Sequence, residues 1–143
     1  NRKMLAQLAL NDPKCFEKKG VLRGLHYQTK PYEQGKLISV IKGKIFDVAV
    51  DVRPRSKYFG KYFSIELSDK NNLQLWIPSG FAHGFIALKD SIINYKTTKY
   101  YSKKHEKTIF WKDKKLQIKW PIKSKTLVSP KDNMGMNFSD IKN

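Results

Sequence analysis

From Gly20 to Trp111 the sequence is a succession of short β-rich runs, each closed by a cluster of turn residues. Leu37 to Ile41, then Lys42-Gly43-Lys44, then Ile45 to Val52, form a pattern that predicts a hairpin. Phe63, Ile65 and Leu67 alternate with Ser64, Glu66 and Ser68, giving one buried face and one wet face. Asp69 to Asn72 is a polar turn, Leu73 to Ile77 a further strand, and Pro78-Ser79-Gly80 its stop. Phe81 to Leu88, a turn at Lys89-Asp90-Ser91, Ile92 to Tyr101 and Thr108 to Trp111 continue the series, until Asp113 to Lys115 turns the chain again. Seven or eight strands at this spacing predict an all-β, antiparallel sandwich or barrel. The exception is Met4 to Leu10, one or two helical turns stopped by Asp12-Pro13. No repeat or low-complexity linker divides the 143 residues, so a single domain is expected. Its parts are an N-terminal extension over 1–19, a barrel over 20–130 and a surface tail over 131–143, where apolar periodicity fades.

A formal charge of +17 first suggests a nucleic-acid binder, but the 29 basic residues are 25 Lys and only four Arg. Arginine supplies the bidentate contacts to phosphate and guanine, and four scattered copies form no stripe interleaved with aromatics. No nucleic-acid partner is expected. The lysines predict a solvated surface that attracts anions, a phosphorylated substrate among them. A single cysteine, Cys15, excludes an internal disulfide and a multi-cysteine metal site. No run is apolar for the ~20 residues that a membrane helix needs. The chain opens at Asn1 without a basic-then-apolar leader, and a reducing, cytoplasmic setting is the default expectation.

Three histidines are available for chemistry. His105 lies in the charged loop Ser102-Lys103-Lys104-His105-Glu106-Lys107 and is expected to be merely solvated. His83 closes Pro78-Ser79-Gly80-Phe81-Ala82-His83, a PxGxxH order that resembles the turn-and-strand element of cupin barrels. Metal-binding cupins add a His-x-His pair, whereas here His26-Tyr27-Gln28 offers one histidine alone. A metal needs several convergent ligands, and no such set can be assembled.

Longer motifs follow one another in order: GVLRGLHYQ from Gly20 to Gln28, Gln34-Gly35-Lys36-Leu37-Ile38, Ile45 to Asp51, and QLWIPSGFAHGF from Gln74 to Phe85. Tyr95-Lys96-Thr97-Thr98, Tyr100-Tyr101, Trp111-Lys112-Asp113, Trp120-Pro121 and Ser129-Pro130-Lys131-Asp132 complete them. Taken together this resembles the dTDP-4-dehydrorhamnose 3,5-epimerase family over about Gly20 to Asp132, far more specifically than any single short pattern. The resemblance implies a cupin-type antiparallel jelly-roll barrel, usually a homodimer, acting on a dTDP-linked 4-keto-6-deoxy sugar without metal or organic cofactor. By position, His26 matches the family's base, Asp132 the carboxylate that orients it, Tyr95 the acid on the opposite sugar face and Lys36 the cation at the keto oxygen. Arg23, Gln28 and His83 line the same pocket, and Tyr100 and Tyr101 fall where the family places nucleotide-side aromatics. The family also carries an N-terminal strand with an acidic-x-Arg-Gly run. Only 19 residues precede Gly20 here and none forms that run, so the expectation is a fragment or a protein without those contacts.

These residue types suit the chemistry. A C4 ketone acidifies the C3 and C5 protons, because either carbanion delocalises onto oxygen as an enolate. Histidine titrates close enough to neutrality to take such a proton, a carboxylate fixes its tautomer, and tyrosine stays protonated to return one. An ammonium beside the ketone stabilises the developing enolate oxygen. Competing expectations are a single-centre epimerase or ketoisomerase on a related nucleotide sugar, and a non-catalytic sugar-binding cupin.

Strand parity adds two constraints. Arg23 and His26 differ by three, so both can line one pocket only if Gly24 marks a bulge or twist, or if Arg23 reaches around an edge. Asp47 and Asp51 share one face of their strand, positioned to pair with Lys36 or to meet solvent. Thr97 and Tyr101, two and six residues after Tyr95, share its face of the strand, consistent with a wet pocket wall.

Overall fold

The computed structural model describes residues 14–123 and 125–141, and the helical turn expected at Met4 to Leu10 lies outside them. Among the described residues the chain forms β1 (Lys14–Glu17), β2 (Val21–Gln28), β3 (Lys36–Lys42), β4 (Lys44–Asp51) and β5 (Tyr62–Ser68). β6 (Gln74–Ile77), β7 (Phe81–Ala87), β8 (Ser91–Thr97), β9 (Glu106–Thr108) and β10 (Leu127–Val128) follow. A one-turn helix, α1 (Pro130–Asn133), and a 3₁₀ turn at Phe138–Asp140 come last. One sheet has the order β1-β8-β3-β6; the other is β10-β2-β7-β4-β5, with β9 also on β2. Pairing is antiparallel except where β10 runs parallel to β2. This is the all-β, cupin-type jelly roll that the sequence led us to expect.

The hairpin expected across Lys42-Gly43-Lys44 does not form. β3 pairs with β6 and β8 in one sheet, whereas β4 pairs with β5 and β7 in the other. Gly43, at φ +92°, turns the chain from one layer to the other, a conformation glycine adopts without steric penalty. Local pattern specified the strands and the turn, but partners are chosen by non-local packing. The chain changes sheet again between β5 and β6, β6 and β7, and β7 and β8.

β4 explains how the interior is shared between apolar and acidic groups. Ile45 and Ala49 face inward and pack with Ile38, Leu67, Ile77, Phe85 and Ile93 between the sheets. Val48 and Val50 face the other way, against Leu25, Ala82, Ile109, Leu116 and Phe138. Asp47 and Asp51 therefore lie on the interior face, 0% and 1% exposed, and neither meets solvent as expected. Asp51 is held by Arg53 and Ser56, and Asp47 bonds to His83 rather than to Lys36.

The segment expected to be a surface tail is instead a third layer. Met136 bridges in parallel to Ile109, and Phe138 packs into the outer cluster at 8% exposure. Met136, Phe138 and Ile141 follow neither a strand nor a helix period, so the sequence pattern could not reveal their burial. Burying one phenylalanine is worth roughly 1.5–3 kcal/mol. It adds to the Met136 bridge and to the bonds that Asp132 makes with His26 and Gly24 in holding the segment.

Candidate active site

A cavity of about 490 Å³ lies between the layers, lined by β2 and β7 from one sheet and by β3 and β8 from the other. β2 contributes Arg23, His26 and Gln28. The β2–β7 register shifts between Arg23 and His26, and Gly24 within the shift has φ +110°. A Cβ at Gly24 would lie 2.6 Å from both the Gly84 Cα and the His83 carbonyl oxygen. The bulge turns Arg23 and His26 toward one cavity, which regular alternation would forbid.

His26 Nε2 lies 2.6 Å from Asp132 Oδ1. The other Asp132 oxygen accepts the Gly24 N–H at 3.1 Å, and the Asp132 N–H donates to the Ser129 hydroxyl that caps α1. Burial pushes the Asp132 carboxyl up, but the His26 and Gly24 bonds outweigh it and hold the group below the usual carboxylate range. An ionised Asp132 accepts, so the imidazole proton resides on Nε2 and Nδ1 keeps its lone pair. Such a ring is a proton acceptor with a fixed tautomer.

His83 sits opposite His26 in the register and makes a second pair, with Nε2 2.5 Å from Asp47 Oδ1. The other Asp47 oxygen is buried without a hydrogen-bond partner among the described residues. Lys36 opens β3 opposite Thr97 and lines the same cavity. Burial pushes its ammonium down to about 8, opposed by the negative charges of Glu106 and Asp47. Tyr95 reaches the cavity from β8, and burial, reinforced by the neighbouring Cys15 and Glu17, raises its phenol so that it stays protonated.

Gln28 lines the cavity, yet its amide nitrogen donates to the Tyr32 and Tyr100 carbonyls and its oxygen accepts the Ser102 N–H. It pins the loop that follows β8. That strand ends at Thr97, short of the expected Tyr101, so Tyr101 arrives at the cavity from a loop and donates to Glu106 Oε2 at 3.0 Å. Tyr100 is 59% exposed and is not among the lining residues.

Sequence reasoning missed the roles of Glu17 and Glu106 and gave Asp47 a different partner. Glu106 accepts from both Tyr101 and Lys131, Asp47 orients His83, and Glu17 binds Arg23. Asp47 gave a signal, an acid among the alternating valines of β4. Glu17 and Glu106 lie in charged stretches that read as solvated loop. Among the described residues no cluster of three or more His, Cys, Asp or Glu converges as metal ligands do, and no helix is long and apolar enough to cross a membrane.

Residues 2–140 match the family model described as dTDP-4-dehydrorhamnose 3,5-epimerase. The chain is 53% identical over 123 residues to the dTDP-4-dehydrorhamnose 3,5-epimerase of Shigella flexneri, an alignment covering 85% of this chain and 67% of that one. It is 49% identical over 115 residues to the enzyme of that name from Sinorhizobium fredii, covering 80% and 59%. The chain thus spans only part of the length of these curated relatives. The crystal structure of dTDP-6-deoxy-D-glucose-3,5-epimerase from Legionella pneumophila, in complex with dTDP-4-keto-L-rhamnose, matches with a TM-score of 0.89 at 44% identity. That match covers 92% of this chain and 70% of the other. Agreement of this extent, in sequence and in the course of the backbone, means that the chain belongs to the dTDP-4-dehydrorhamnose 3,5-epimerase family.

Proposed function

We propose that the chain inverts C3 and C5 of a dTDP-linked 4-keto-6-deoxyhexose, on the route to dTDP-L-rhamnose, by proton abstraction and return through an enolate. The observation that carries this reading is the Asp132-backed His26 sharing one cavity with Tyr95 and Lys36. His26 Nδ1 takes the proton α to the ketone, and Asp132 stabilises the imidazolium that forms. The C–H electron pair moves into the ring and onto the ketone oxygen, where Lys36 meets the growing negative charge. Tyr95 returns a proton to carbon, and its raised pKa keeps that proton available across the neutral range. No step asks for a metal or an organic cofactor.

Arg23, Gln28, His83 and Tyr101 would surround the sugar nucleotide, with the overall +17 charge drawing in its diphosphate. A second copy of the chain is the expected partner. The exposed Phe16 and Trp76, on the outer face of the β1-β8-β3-β6 sheet, suit a contact between copies. The lone thiol of Cys15 suits a reducing cytoplasm.

The test is incubation with dTDP-4-keto-6-deoxyglucose in deuterium oxide, followed by mass and NMR analysis of the sugar. Label at both C3 and C5 is expected. Label at one carbon supports a single-centre epimerase instead, and a folded protein that introduces none leaves a sugar-binding cupin. Tyr95→Phe should retain exchange at one position and block full inversion.

A further inference from the structure

We propose that Glu17 is a positioning residue of this same site: it grips Arg23 by one edge of the guanidinium and cancels its charge at the cavity wall. The inference deepens the epimerase reading, because it concerns how that cavity would treat an anionic sugar nucleotide. Glu17 Oε1 accepts from Arg23 Nε at 2.9 Å and Oε2 from Nη2 at 3.3 Å, a two-point grip on the side edge of the guanidinium. Only the edge formed by Nη1 and Nη2 is left for a ligand. The Glu17 side chain is 8% exposed while the Arg23 side chain is 47% exposed, so the acid is the buried, fixed partner.

The placement of the pair in the fold is as telling as its geometry. Glu17 ends β1, at the border of one sheet, and Arg23 lies on β2 in the other. Their bond spans the seam between layers, and both side chains line the cavity beside Tyr95. A guanidinium with no acid would be a ready clamp for phosphate oxygens and would draw the diphosphate toward the wall that holds Tyr95. Paired with Glu17 it becomes a directed donor with little net charge. The pair thus biases Arg23 toward a neutral sugar oxygen, leaving the diphosphate to the rest of the cavity and its rim.

The test reads anion affinity apart from turnover, using inorganic pyrophosphate as the probe in calorimetry. Glu17→Gln, Arg23→Gln and the double variant set the net charge of the pair to +1, −1 and 0. Affinity should follow that charge: about tenfold tighter than wild type for Glu17→Gln, about tenfold weaker for Arg23→Gln, and unchanged for the double variant. With the sugar nucleotide, Glu17→Gln should lower kcat without raising KM, because Arg23 has lost its fixed direction. A merely structural seam would lower Tm and leave both the affinity order and the kcat-to-KM split as in wild type. That result overturns the proposal. Should Glu17→Gln fail to fold, the double variant decides: pyrophosphate binding tenfold weaker than wild type means that Arg23 already clamps the anion, and the inference falls. A wild type that exchanges no deuterium would sink the epimerase reading, yet the pyrophosphate order would still stand or fall on its own.

Discussion

His26 and His83 stand opposite each other where β2 meets β7, and each is bonded through Nε2 to its own buried carboxylate, Asp132 or Asp47. The two pairs look alike and differ in what the second carboxylate oxygen does. Asp132 has both oxygens bonded, to His26 and to the Gly24 N–H. Asp47 has one oxygen on His83 and the other buried with no hydrogen-bond partner among the described residues. A satisfied carboxylate chiefly orients its histidine, whereas an unmatched one projects negative potential toward Lys36. The two acids therefore have separable roles.

Asp132→Asn tests the first of these roles. An amide can occupy the same space and still bond to the ring, but it cannot stabilise an imidazolium. Turnover should fall about 10²–10⁴-fold with KM little changed. Initial rates of deuterium incorporation at C3 and C5 provide the measurement, and a variant within threefold of wild type would remove Asp132 from the mechanism.

Lys36 makes the reaction sensitive to alkali. Its ammonium is pushed down to about 8 by burial, so the charge facing the enolate is lost as pH rises through that value. Activity should decline on the alkaline side with a midpoint near there, and Lys36→Gln should be nearly inactive at every pH. Stability runs the other way. The folded-state pKa lies below the unfolded value of about 10.4, so between the two the unfolded chain holds more protons and stability rises with pH. Below pH 8 the buried ammonium costs stability, on the order of 3 kcal/mol from the size of the shift. Lys36→Met should therefore raise the urea midpoint at pH 7 while abolishing turnover, and its advantage should disappear by about pH 10.5. A less stable Lys36→Met protein would contradict the charge-burial account.

Asp47 and Glu106 both pull the Lys36 pKa upward against burial. Asp47→Asn and Glu106→Gln should each move the alkaline limb of the kcat profile to lower pH. Because Glu106 also receives the Tyr101 hydroxyl and Lys131, its variant should raise KM as well. A limb that stays in place in both variants would mean that other charges hold Lys36 protonated.

How much of this was legible in the sequence follows from the range of the forces involved. The strand at Phe63 to Ser68 and the turn at Gly43 are local and were readable, but the faces expected of that strand were not, since Phe63 is 55% exposed and Ser68 only 5%. The pairing of β3 with β8, and not with β4, depends on packing across the whole chain. The site divides in the same manner. His26, Lys36, Tyr95 and Asp132 were named through ordered motifs, and parity required either a bulge or twist at Gly24 or an Arg23 that reaches around an edge, of which the structure has the bulge. Glu17 and Glu106 escaped because an acid in a lysine-rich stretch carries no mark of burial, and each acquires meaning only from the Arg23 or the Lys131 that the fold brings to it. Asp47 and Asp51 misled for a related reason. Strand parity offers them Lys36 or solvent, whereas both are buried on the interior face and the opposite, valine face is covered from outside by Ile109, Leu116 and Phe138.

That third layer supplies the last prediction. Phe138 packs against Phe59 with ring centroids 4.8 Å apart, and it lies in the cluster containing Leu25, Val48 and Ile109. Phe138→Ala should open a cavity and destabilise the protein by about 3–5 kcal/mol. Met134 lies four residues earlier and is 79% exposed, so Met134→Ala should change stability by no more than about 0.5 kcal/mol. Urea denaturation of the two variants measures the contrast. The same segment carries Asp132, so a loosened layer also loosens the partner of His26, and Phe138→Ala should lose activity at temperatures where most of the barrel is still folded. Equal stability of the two variants would return the segment to the status of a surface tail and would leave the burial of Asp132 without a cause.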